Sequence, residues 1–397
     1  MELINDITYK YNQAVQRFKP LFYPNAKIVR PEECGTKVVV YMPECVESVQ
    51  MIPTYSFITK GSFDLFLPEI ALWRFNNGCL FGDSDMIILE GHKAIWPKYF
   101  NYNYNKSIVR DYNYKYEKSG VLSFKRFKKE KHFGTVFSLL GKYSRTWTHA
   151  LVEYFPKLSV LQAAIDDSKE RITVLVPDYK DLQLKEIIYG QLKKYDVDIE
   201  VIDLGVTVVA DTIYYMERPT KFTDHEVSVA IGDQFVPKKT ADVVKDMLVR
   251  PLVEKVERSS EYKKIYLSRR GGTGKGILNY NEVEDYFKDK GFVLFEPHKV
   301  SLEEKIRIFQ SAEIIVGPLG GAFTNLIFCK PGTKVLSFSN YQRVFENYLS
   351  MTTQYLGLEI LYVTGYDVKI QNPAHCSYYM PMERVEAAAK QLGIVEN

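Results

Sequence analysis

The spacing of apolar and polar residues changes along the chain and divides it into regions. Before about residue 133, short β-branched and aromatic runs alternate with turn residues, a pattern typical of strands. One helix and a proline-marked loop are expected within 1–30, and then strands at 38–41, 62–66, 72–75 and 86–89, with turns at 76–78 and 82–83. This region predicts a small antiparallel sheet that leads the chain.

From Arg145 onward, apolar residues at helical spacing alternate with short buried runs. Helices are expected at 146–164, 181–194, 240–258, before 289, at 302–311, after 321 and at 383–392, and strands at 172–176, 199–202, 212–216, 293–295 and 335–338 and around 265 and 314. Such alternation predicts an α/β fold with parallel sheets. Four domains are expected. Residues 1–133 form a β-rich region with a basic aromatic segment, and residues 134–236 and 237–378 form two α/β domains hinged near 236–239. Residues 379–397 form a terminal helix that can pack back on the first α/β domain.

Composition sets broad limits on the function. The chain has 397 residues, 46% of them hydrophobic, and a net charge of +3, which is too small to argue for nucleic acid. The five cysteines are scattered without a C-x-x-C pair, which indicates neither a zinc site nor a disulfide framework. The first residues lack the regions of a signal peptide, and no apolar run approaches a membrane span. We therefore expect a cytoplasmic protein.

Residues 92–133 combine many lysines and arginines with tyrosine and phenylalanine. Two interpretations remain open. The segment is either a basic, aromatic surface for anionic lipid head groups, a glycan or nucleic acid, or a solvated loop that contributes scattered aromatics to the core.

The segment 314–328 predicts a buried strand, a glycine turn and a helix that begins at the turn. Glycine allows close approach of a ligand, and the first N–H groups of the helix would point at it, so the turn predicts a site for a phosphate or diphosphate. A tight turn without a ligand is the alternative. The expected contact residues are Gly317, Pro318, Leu319, Gly320, Gly321, Ala322, Thr324 and Asn325.

A second loop, at 268–276, follows an expected strand and carries Arg269, Arg270 and Lys275, before a helix that Asn279 opens. Arginine binds phosphate oxygens in pairs, so this loop and the glycine turn are expected to hold one anion together. A solvated basic turn is the alternative. The loop is not a P-loop, because Arg269 stands at the first glycine position and Gly276 stands where Ser or Thr is required.

Several motifs resemble glycosyltransferase family 61. They are Tyr266 to Arg269, Asn279 with Glu282, Gly291-Phe292, 302–312, Val316 to Pro318, Ala322 to Asn325, Pro331 to Thr333, and the segment from His149 to Leu158. Two positions depart from the family pattern. Leu319 stands where the family often has histidine, and Lys275 or Gly276 stands where it often has arginine.

The resemblance implies a GT-B-like fold, in which two Rossmann-like domains face a cleft. The donor, a nucleotide sugar such as UDP-xylose or UDP-GlcNAc, would lie on the C-terminal domain and a glycan or glycolipid acceptor on the N-terminal one. It also implies inversion without a metal or other cofactor, in polysaccharide or capsule biosynthesis, with contact to the cytoplasmic membrane face as an option. Asn325, Glu346 and Asn347 would either serve the donor or hold the turn, and Glu346 could accept bonds from the ribose hydroxyls.

Inversion by direct displacement requires a general base for the acceptor hydroxyl. His149 and Glu153 lie at i and i+4 on one helix face, and they could act as base and orienting partner. Alternatively, His149 only packs against its surroundings and Glu153 pairs with a cation. Asp178 and Asp233, each near the end of an expected strand, are the next candidates.

Other classes of protein compete with this assignment. A dehydrogenase or epimerase would need a G-x-G-x-x-G turn, which neither α/β series contains. An inactive scaffold is compatible with Leu319, and a nucleic-acid-binding protein would use residues 92–133.

Overall fold

The structure, a computed structural model, describes residues 21–55, 61–82, 84–95, 114–117, 121–127, 129–222, 234–269, 276–340, 354–367 and 377–395. Its contacts group the chain into two compact units. Unit 1 comprises Met1–Cys45 and Phe66–Pro219, and unit 2 comprises Val46–Leu65 and Thr220–Asn397. The four-part division expected from the sequence is finer and stays a prediction.

The elements are named here in chain order. The described strands are β1 Leu21–Val29, β2 Thr36–Met42, β3 Cys45–Gln50, β4 Ser62–Leu67, β5 Ile70–Phe81, β6 Ser84–Leu89, β7 Lys93–Ile95, β8 Tyr114–Glu117, β9 Val121–Arg126, β10 Lys129–Ser138, β11 Thr173–Pro177, β12 Asp198–Ile202, β13 Val206–Met216, β14 Lys221–Phe222, β15 Gln234–Phe235, β16 Lys264–Leu267, β17 Val293–Phe295, β18 Ile314–Pro318, β19 Lys334–Asn340, β20 Glu359–Asp367 and β21 Tyr378–Tyr379. The described α-helices are α1 Pro31–Cys34, α2 Trp147–His149, α3 Leu161–Asp167, α4 Leu182–Leu192, α5 Lys238–Val244, α6 Arg250–Val253, α7 Tyr280–Asp289, α8 Leu302–Ser311 and α9 Met382–Gln391.

Unit 1 contains an 11-stranded mixed sheet. Its order is β12-β11-β10-β13-β5-β6-β7-β1-β9-β8, with β2 beside β5. The first four strands are parallel, and β13 pairs with β5 in the antiparallel sense. Numbered by their position in the chain, the parallel strands lie in the order 3-2-1-4, so the direction of winding reverses between β10 and β13.

The early strands do not form the separate small sheet that the sequence predicts. The β13–β5 pairing instead makes β2, β5 and β6 an extension of the parallel sheet, whereas β4 pairs with β3 in a separate two-stranded sheet. Residues 21–29, expected within a helix and loop, form β1, because β7 and β9 supply pairing partners on both sides. Residues 1–20 lie outside the described range.

The expected turn at 76–78 is also wrong, because β5 runs through it. Gly78 pairs with Ala210 of β13 on one side and with Leu89 of β6 on the other. A Cβ at position 78 would lie 2.9 Å from the Cδ1 atom of Ile213. The glycine therefore allows close packing inside the sheet, a use of strand glycine that sequence cannot separate from a turn.

The helix expected at 146–164 is a composite. The α-helix α2 continues into a π-helical turn at Ala150–Tyr154, a 3-10 segment at Phe155–Val160 and then α3. Pro156 stands in the first turn of the 3-10 segment, where its missing N–H costs little. Its apolar side chains are buried: Leu151, Val152, Phe155, Leu158 and Leu161.

Unit 2 contains a six-stranded sheet in the order β17-β16-β18-β19-β20-β21. The first five strands are parallel and β21 is antiparallel. In chain order the parallel strands lie 2-1-3-4-5, a doubly wound arrangement whose winding reverses between β16 and β18. One face carries a core that includes Tyr266, Phe287 and Phe338.

Two helices of unit 2 differ from expectation. The helix expected at 240–258 consists of α5, a π-helical turn at Lys245–Val249 and α6, and it ends at Val253. The next five residues are polar apart from one valine and mostly exposed, so they gain little by continuing a helix. The helix after the glycine turn is a 3-10 helix, Gly321–Phe328.

Residues 46–65 leave unit 1 and join unit 2 as the β3–β4 pair. The N–H of Tyr55 donates to the Tyr362 oxygen at 2.8 Å, and the N–H of Tyr362 donates to the Pro53 oxygen at 2.9 Å. The excursion therefore supplies backbone partners to an edge of β20 that would otherwise be open to another chain.

Candidate functional site

The switch point of the unit 1 sheet lies between β10 and β13. Ligands of open α/β sheets bind at the carboxyl ends of strands where the winding reverses. The segment from Leu139 to Thr146 follows β10, and Glu217 and Arg218 follow β13. The composite helix that carries His149 comes next along the chain after β10, so topology brings chemically active side chains to this edge.

His149 and Glu153 form a direct pair within the composite helix. The Nδ1 atom of His149 contacts Oε1 of Glu153 at hydrogen-bond distance. Glu153 has no exposed surface, whereas the His149 side chain is 20% exposed. The π-helical turn begins directly after His149 and includes Glu153, a local irregularity frequent at functional sites. A buried carboxylate that fixes one imidazole nitrogen is the arrangement by which a histidine is oriented as a base.

Arg218 holds the other side of Glu153. Its Nη1 atom donates to Oε2 of Glu153 at 2.8 Å, and its Nε atom lies 3.4 Å from Oδ2 of Asp85. The second Asp85 oxygen, Oδ1, accepts from the Tyr154 hydroxyl at 2.9 Å. The side chains of Arg218 and Asp85 are each 11% exposed. We call His149, Glu153, Arg218 and Asp85 the unit 1 relay.

Burial and charge set the protonation of the unit 1 relay. Burial raises the pKa of Glu153, but the nearby His149 and Arg218 outweigh it and lower that pKa to about 2. Burial lowers the pKa of Arg218, yet Asp85 and Glu153 hold it well above its usual value. Both groups are therefore ionised at neutral pH. Burial lowers the pKa of a neighbouring cation, Lys157, to about 8.

The loop before the composite helix is shaped around this cluster. A Cβ at Gly141 would lie 2.3 Å from both Oδ1 of Asp85 and the hydroxyl of Tyr154. The ring of Tyr143 stacks at a tilt on His149 with centroids 5.0 Å apart. Tyr143 adopts φ 63°, a left-handed conformation that costs energy for a tyrosine and is common at functional sites.

Asp178, another expected catalytic residue, makes a different contact. Asp178 follows β11, and its half-exposed carboxylate pairs with Lys180 at 2.5 Å. The hydrogen bond from Lys180 lowers the pKa of Asp178. Asp233 lies outside the described residues. Of the four expected catalytic residues, the structure brings together His149 and Glu153.

A second candidate site lies at the switch point of unit 2, between β16 and β18. The Nη1 atom of Arg269, two residues after β16, donates to the Leu319 oxygen at 3.2 Å, directly after β18. The two loops that the sequence predicts to converge are therefore adjacent. Ser268 anchors the first loop, because its hydroxyl donates to the buried Glu284 carboxylate at 2.7 Å.

The glycines of the second loop are required by close contacts. A Cβ at Gly320 would lie 2.6 Å from Nη1 of Arg269. A Cβ at Gly317 would lie 2.8 Å from the Leu267 oxygen. Gly317 and Pro318 are buried strand residues of β18, and the Leu319 N–H donates to the Phe338 oxygen at 2.7 Å. These three residues therefore support the turn, and Gly320 to Ala322 remain the backbone positions that can face an anion.

Asn325 and Asn279 make structural hydrogen bonds. The Asn325 amide donates to the Ala322 oxygen at 2.8 Å, within the 3-10 helix that also carries the buried Thr324. The Asn279 side chain bonds both the N–H and the oxygen of Met380, at 2.9 and 2.8 Å. It thereby joins the start of α7 to the segment before α9.

Three buried polar atoms near the carboxyl end of the unit 2 sheet have no hydrogen-bond partner among the described residues. They are Oδ1 of Asn325 and the hydroxyls of Ser337 and Ser339 on β19. Buried polar atoms are usually satisfied, so such a group calls for an explanation, and a ligand or bound water is the common one. Arg270, Lys275, Glu346 and Asn347, the remaining expected donor residues, lie outside the described ranges.

Sequence reasoning missed Arg218 and Asp85. Arg218 carried a usable signal, because Glu217-Arg218-Pro219 places charges directly after an expected buried strand. Asp85 carried none, since one acid in a short strand is unremarkable. Much of the basic aromatic segment 92–133 lies outside the described ranges, and its described parts include strands β7, β8 and β9.

Two negative findings hold for the part of the chain that the structure describes. No helix there is both long and apolar enough to cross a membrane. No three His, Cys, Asp or Glu side chains come together there as metal ligands would. Metal independence stays a prediction.

Comparison with known families places these sites in context. Residues 147–336 match the family described as Glycosyltransferase 61, and a search of curated proteins finds no match to the chain. The matched segment contains His149, Glu153, Arg218, Arg269 and the glycine turn. This match points to glycosyltransferase activity. The resemblance seen in the sequence is confirmed, because the family model of glycosyltransferase 61 matches residues 147–336 of this chain.

Proposed function

We propose that this protein is a metal-independent, inverting glycosyltransferase that uses a nucleotide-diphosphate sugar, with UDP-sugars as the first donors to test. The acceptor is a hydroxyl of a glycan or glycolipid in polysaccharide biosynthesis. The observation that carries the proposal is the contact between His149 and the fully buried, ionised Glu153 at the switch point of unit 1. An imidazole supported in this way suits removal of a proton from a hydroxyl.

The reaction is a direct displacement at the anomeric carbon. The acceptor oxygen forms a bond to that carbon while the bond from it to the donor phosphate oxygen breaks. The nucleoside diphosphate leaves with the electron pair, and the hydroxyl proton passes to His149. Because Nδ1 is held by Glu153, the base is Nε2. The ionised Glu153 then stabilises the imidazolium that forms.

The donor diphosphate is assigned to unit 2. Arg269 supplies a guanidinium fork beside Gly320, and the 3-10 helix that starts at Gly321 presents its N-terminus at the same turn. Positive groups of this kind can take up the charge that develops on the departing diphosphate, a role that metal ions fill in other enzymes. Leu319 contributes no side-chain contact here, so the backbone and Arg269 carry the binding.

The test combines binding and turnover. Thermal unfolding is measured with a panel of UDP-, GDP- and TDP-sugars, because a ligand of the native state raises the melting temperature. Donors that bind are then assayed for release of nucleoside diphosphate with candidate glycans. We expect one UDP-sugar to stabilise the protein and to be turned over.

Two outcomes would oppose the proposal. Binding without turnover, for any donor and acceptor, would indicate an inactive scaffold. If no nucleotide sugar raises the melting temperature, the assignment of a nucleotide-sugar donor is wrong. His132→Gln is a matched control for variants of His149, because His132 is a 71% exposed histidine of the same unit.

A further inference from the structure

The unit 1 relay joins four side chains in a line. Asp85 contacts Arg218, Arg218 contacts Glu153, and Glu153 contacts His149. The members come from β6, the end of β13, the π-helical turn and α2. Asp85 lies outside the family match, whereas the other three lie inside it. The line alternates in charge and ends at its most exposed member, the histidine, so the role of the two inner residues, Arg218 and Asp85, needs an explanation.

We infer that Arg218 and Asp85 are positioning residues that hold Glu153 in the orientation that supports His149 as the base, an inference that rests on the proposed function. Arg218 fixes Oε2 of Glu153, so that Oε1 is left to meet Nδ1 of His149. Asp85 in turn fixes Arg218 through Nε.

Energetics favour this role over a simple stabilising ion pair. Removing a carboxylate from water is costly unless a well-placed cation and hydrogen bonds compensate for it. Glu153 has no exposed surface and Arg218 is its cationic neighbour on the side away from His149. Replacing such a pair by apolar residues often leaves stability unchanged or increases it. Stability alone therefore does not explain why an ion pair is buried this deeply, and another role has to be sought.

The charge balance supplies that reason. The carboxylates of Asp85, Glu153 and Glu217 and the cations Arg218 and Lys157 form one electrostatically interacting set, which His149 joins through Glu153. With His149 neutral this set carries three negative and two positive charges, an excess of one negative charge. A proton on His149 brings the set to neutrality.

Four further groups lie next to this set, among them the half-buried cation Lys142. Tyr143 stacks on the ring of His149, and Lys142 lies over the ring of Tyr143, 5.3 Å from its centroid. Tyr154 and Tyr215 lie against Lys157 at 5.0 and 5.4 Å, and burial raises the pKa of both hydroxyls. They stay neutral and leave the charge balance unchanged.

The experiment measures the protonation of His149 without any substrate. Diethyl pyrocarbonate reacts with unprotonated imidazole, and the signal of His149 is the difference between the full-length protein and His149→Gln. The rate is followed against pH for the native sequence, Arg218→Met, Arg218→Lys, Asp85→Asn and the control Asp196→Asn, whose carboxylate is 85% exposed. Circular dichroism establishes that each variant is folded.

The two positioning residues are expected to act in opposite directions. Asp85→Asn removes a negative charge, so His149 should become reactive at a pH about 1 unit lower. Arg218→Met removes a positive charge, so the same transition should move about 1 unit higher. Arg218→Lys keeps the positive charge but loses the planar guanidinium that binds two acceptors. The pH at which His149 becomes reactive should therefore stay nearly unchanged, while the rate of sugar transfer falls at least 10-fold.

The inference is overturned if folded Asp85→Asn leaves the transition in place, or if it moves the transition upward. Because Asp85→Asn leaves the ion pair of Arg218 and Glu153 in place, this variant tests the inference even if Arg218→Met does not fold. Failure of the proposed function gives a different result. If His149→Gln retains full transfer while the transitions shift as expected, the base lies elsewhere and the charge coupling stands.

Discussion

The guanidinium of Arg269 donates to the backbone oxygen of Leu319 at 3.2 Å, although 50 residues separate the two in the chain. The contact exists because β16 and β18 are parallel neighbours, which places their carboxyl ends together. A cation and an amide-rich turn thus meet where the winding of the sheet reverses. This relationship supports the donor site and leads to the first two predictions.

Arg269→Ala should remove most affinity for the donor. Loss of charge-assisted hydrogen bonds to a diphosphate costs about 1.5–3 kcal/mol, which corresponds to a dissociation constant that is roughly 10- to 150-fold larger. Titration calorimetry with UDP measures the change. The melting temperature should change little, and Arg250→Ala, which removes an exposed arginine of the same unit, should retain affinity. If Arg269→Ala and Arg250→Ala bind UDP with equal affinity, the loop that carries Arg269 does not form the anion site.

Gly320→Ala should weaken the same binding by displacing Arg269 and not by unfolding the turn. The added Cβ would lie 2.6 Å from Nη1, the far end of a flexible side chain that can move away. We expect several-fold weaker UDP binding and a small change in stability. Gly190→Ala is the control, since nothing lies within 4 Å of a Cβ there. A loss of more than about 3 kcal/mol in the free energy of unfolding would show that the added Cβ displaces the backbone of the turn and not the side chain of Arg269.

Gly141→Ala should disrupt the unit 1 relay. Its Cβ would lie 2.3 Å from Asp85 and from Tyr154, two groups held by hydrogen bonds to each other. We expect a destabilisation of about 1–3 kcal/mol, as is usual for overpacking, together with loss of transfer. Urea unfolding and the transfer assay measure the two effects. Unchanged activity would indicate that the loop moves freely away from the cluster.

His149→Gln and Glu153→Gln should each lower transfer by 100-fold or more while UDP affinity stays unchanged, since both act on the acceptor side. Calorimetry and steady-state rates separate the effects. Donor binding that falls with transfer in both variants would place the pair at the donor instead.

The free energy of unfolding should fall in acid in a way that depends on Glu153. Its pKa is lowered from 4.5 to about 2, so the folded state holds the proton less tightly than the unfolded state. The associated stability is present above pH 4.5 and is lost as the pH falls towards 2. A difference of about 2.5 units corresponds to roughly 3 kcal/mol.

Urea unfolding between pH 2 and 7 measures this dependence. Glu153→Gln should be less stable at pH 7 and should lose less stability on acidification. A variant whose stability falls with pH as steeply as that of the native sequence would mean that other carboxyl groups dominate the acid response.

Local pattern accounted for much of the fold. The strand of Ile314–Pro318 and the helix of Leu302–Ser311 were both predicted, because β-branched runs and 3.6-residue periodicity report burial on a sheet or a helix face. The contact of His149 with Glu153 was predicted as well, since an i, i+4 spacing places two side chains together whenever the segment is helical. The role of the pair as base and orienting partner stays a prediction.

Long-range pairing was less accessible. Gly78 indicates a turn by composition, and only its neighbours on both sides show that it lies inside β5. Arg218 and Asp85 are 133 positions apart, and no local signal joins them. Their meeting depends on where β6 and β13 fall in one sheet.

By itself, the sequence determined the alternation of strands and helices, the glycine turn beside a basic loop, and the pairing of His149 with Glu153, because each depends on neighbours within a few residues. Only the tertiary structure decided which distant strands lie side by side, and therefore that Arg218 and Asp85 stand behind that pair. Sheet order is a property of the whole fold: it reflects which of many possible pairings buries the most apolar surface and satisfies the most backbone groups.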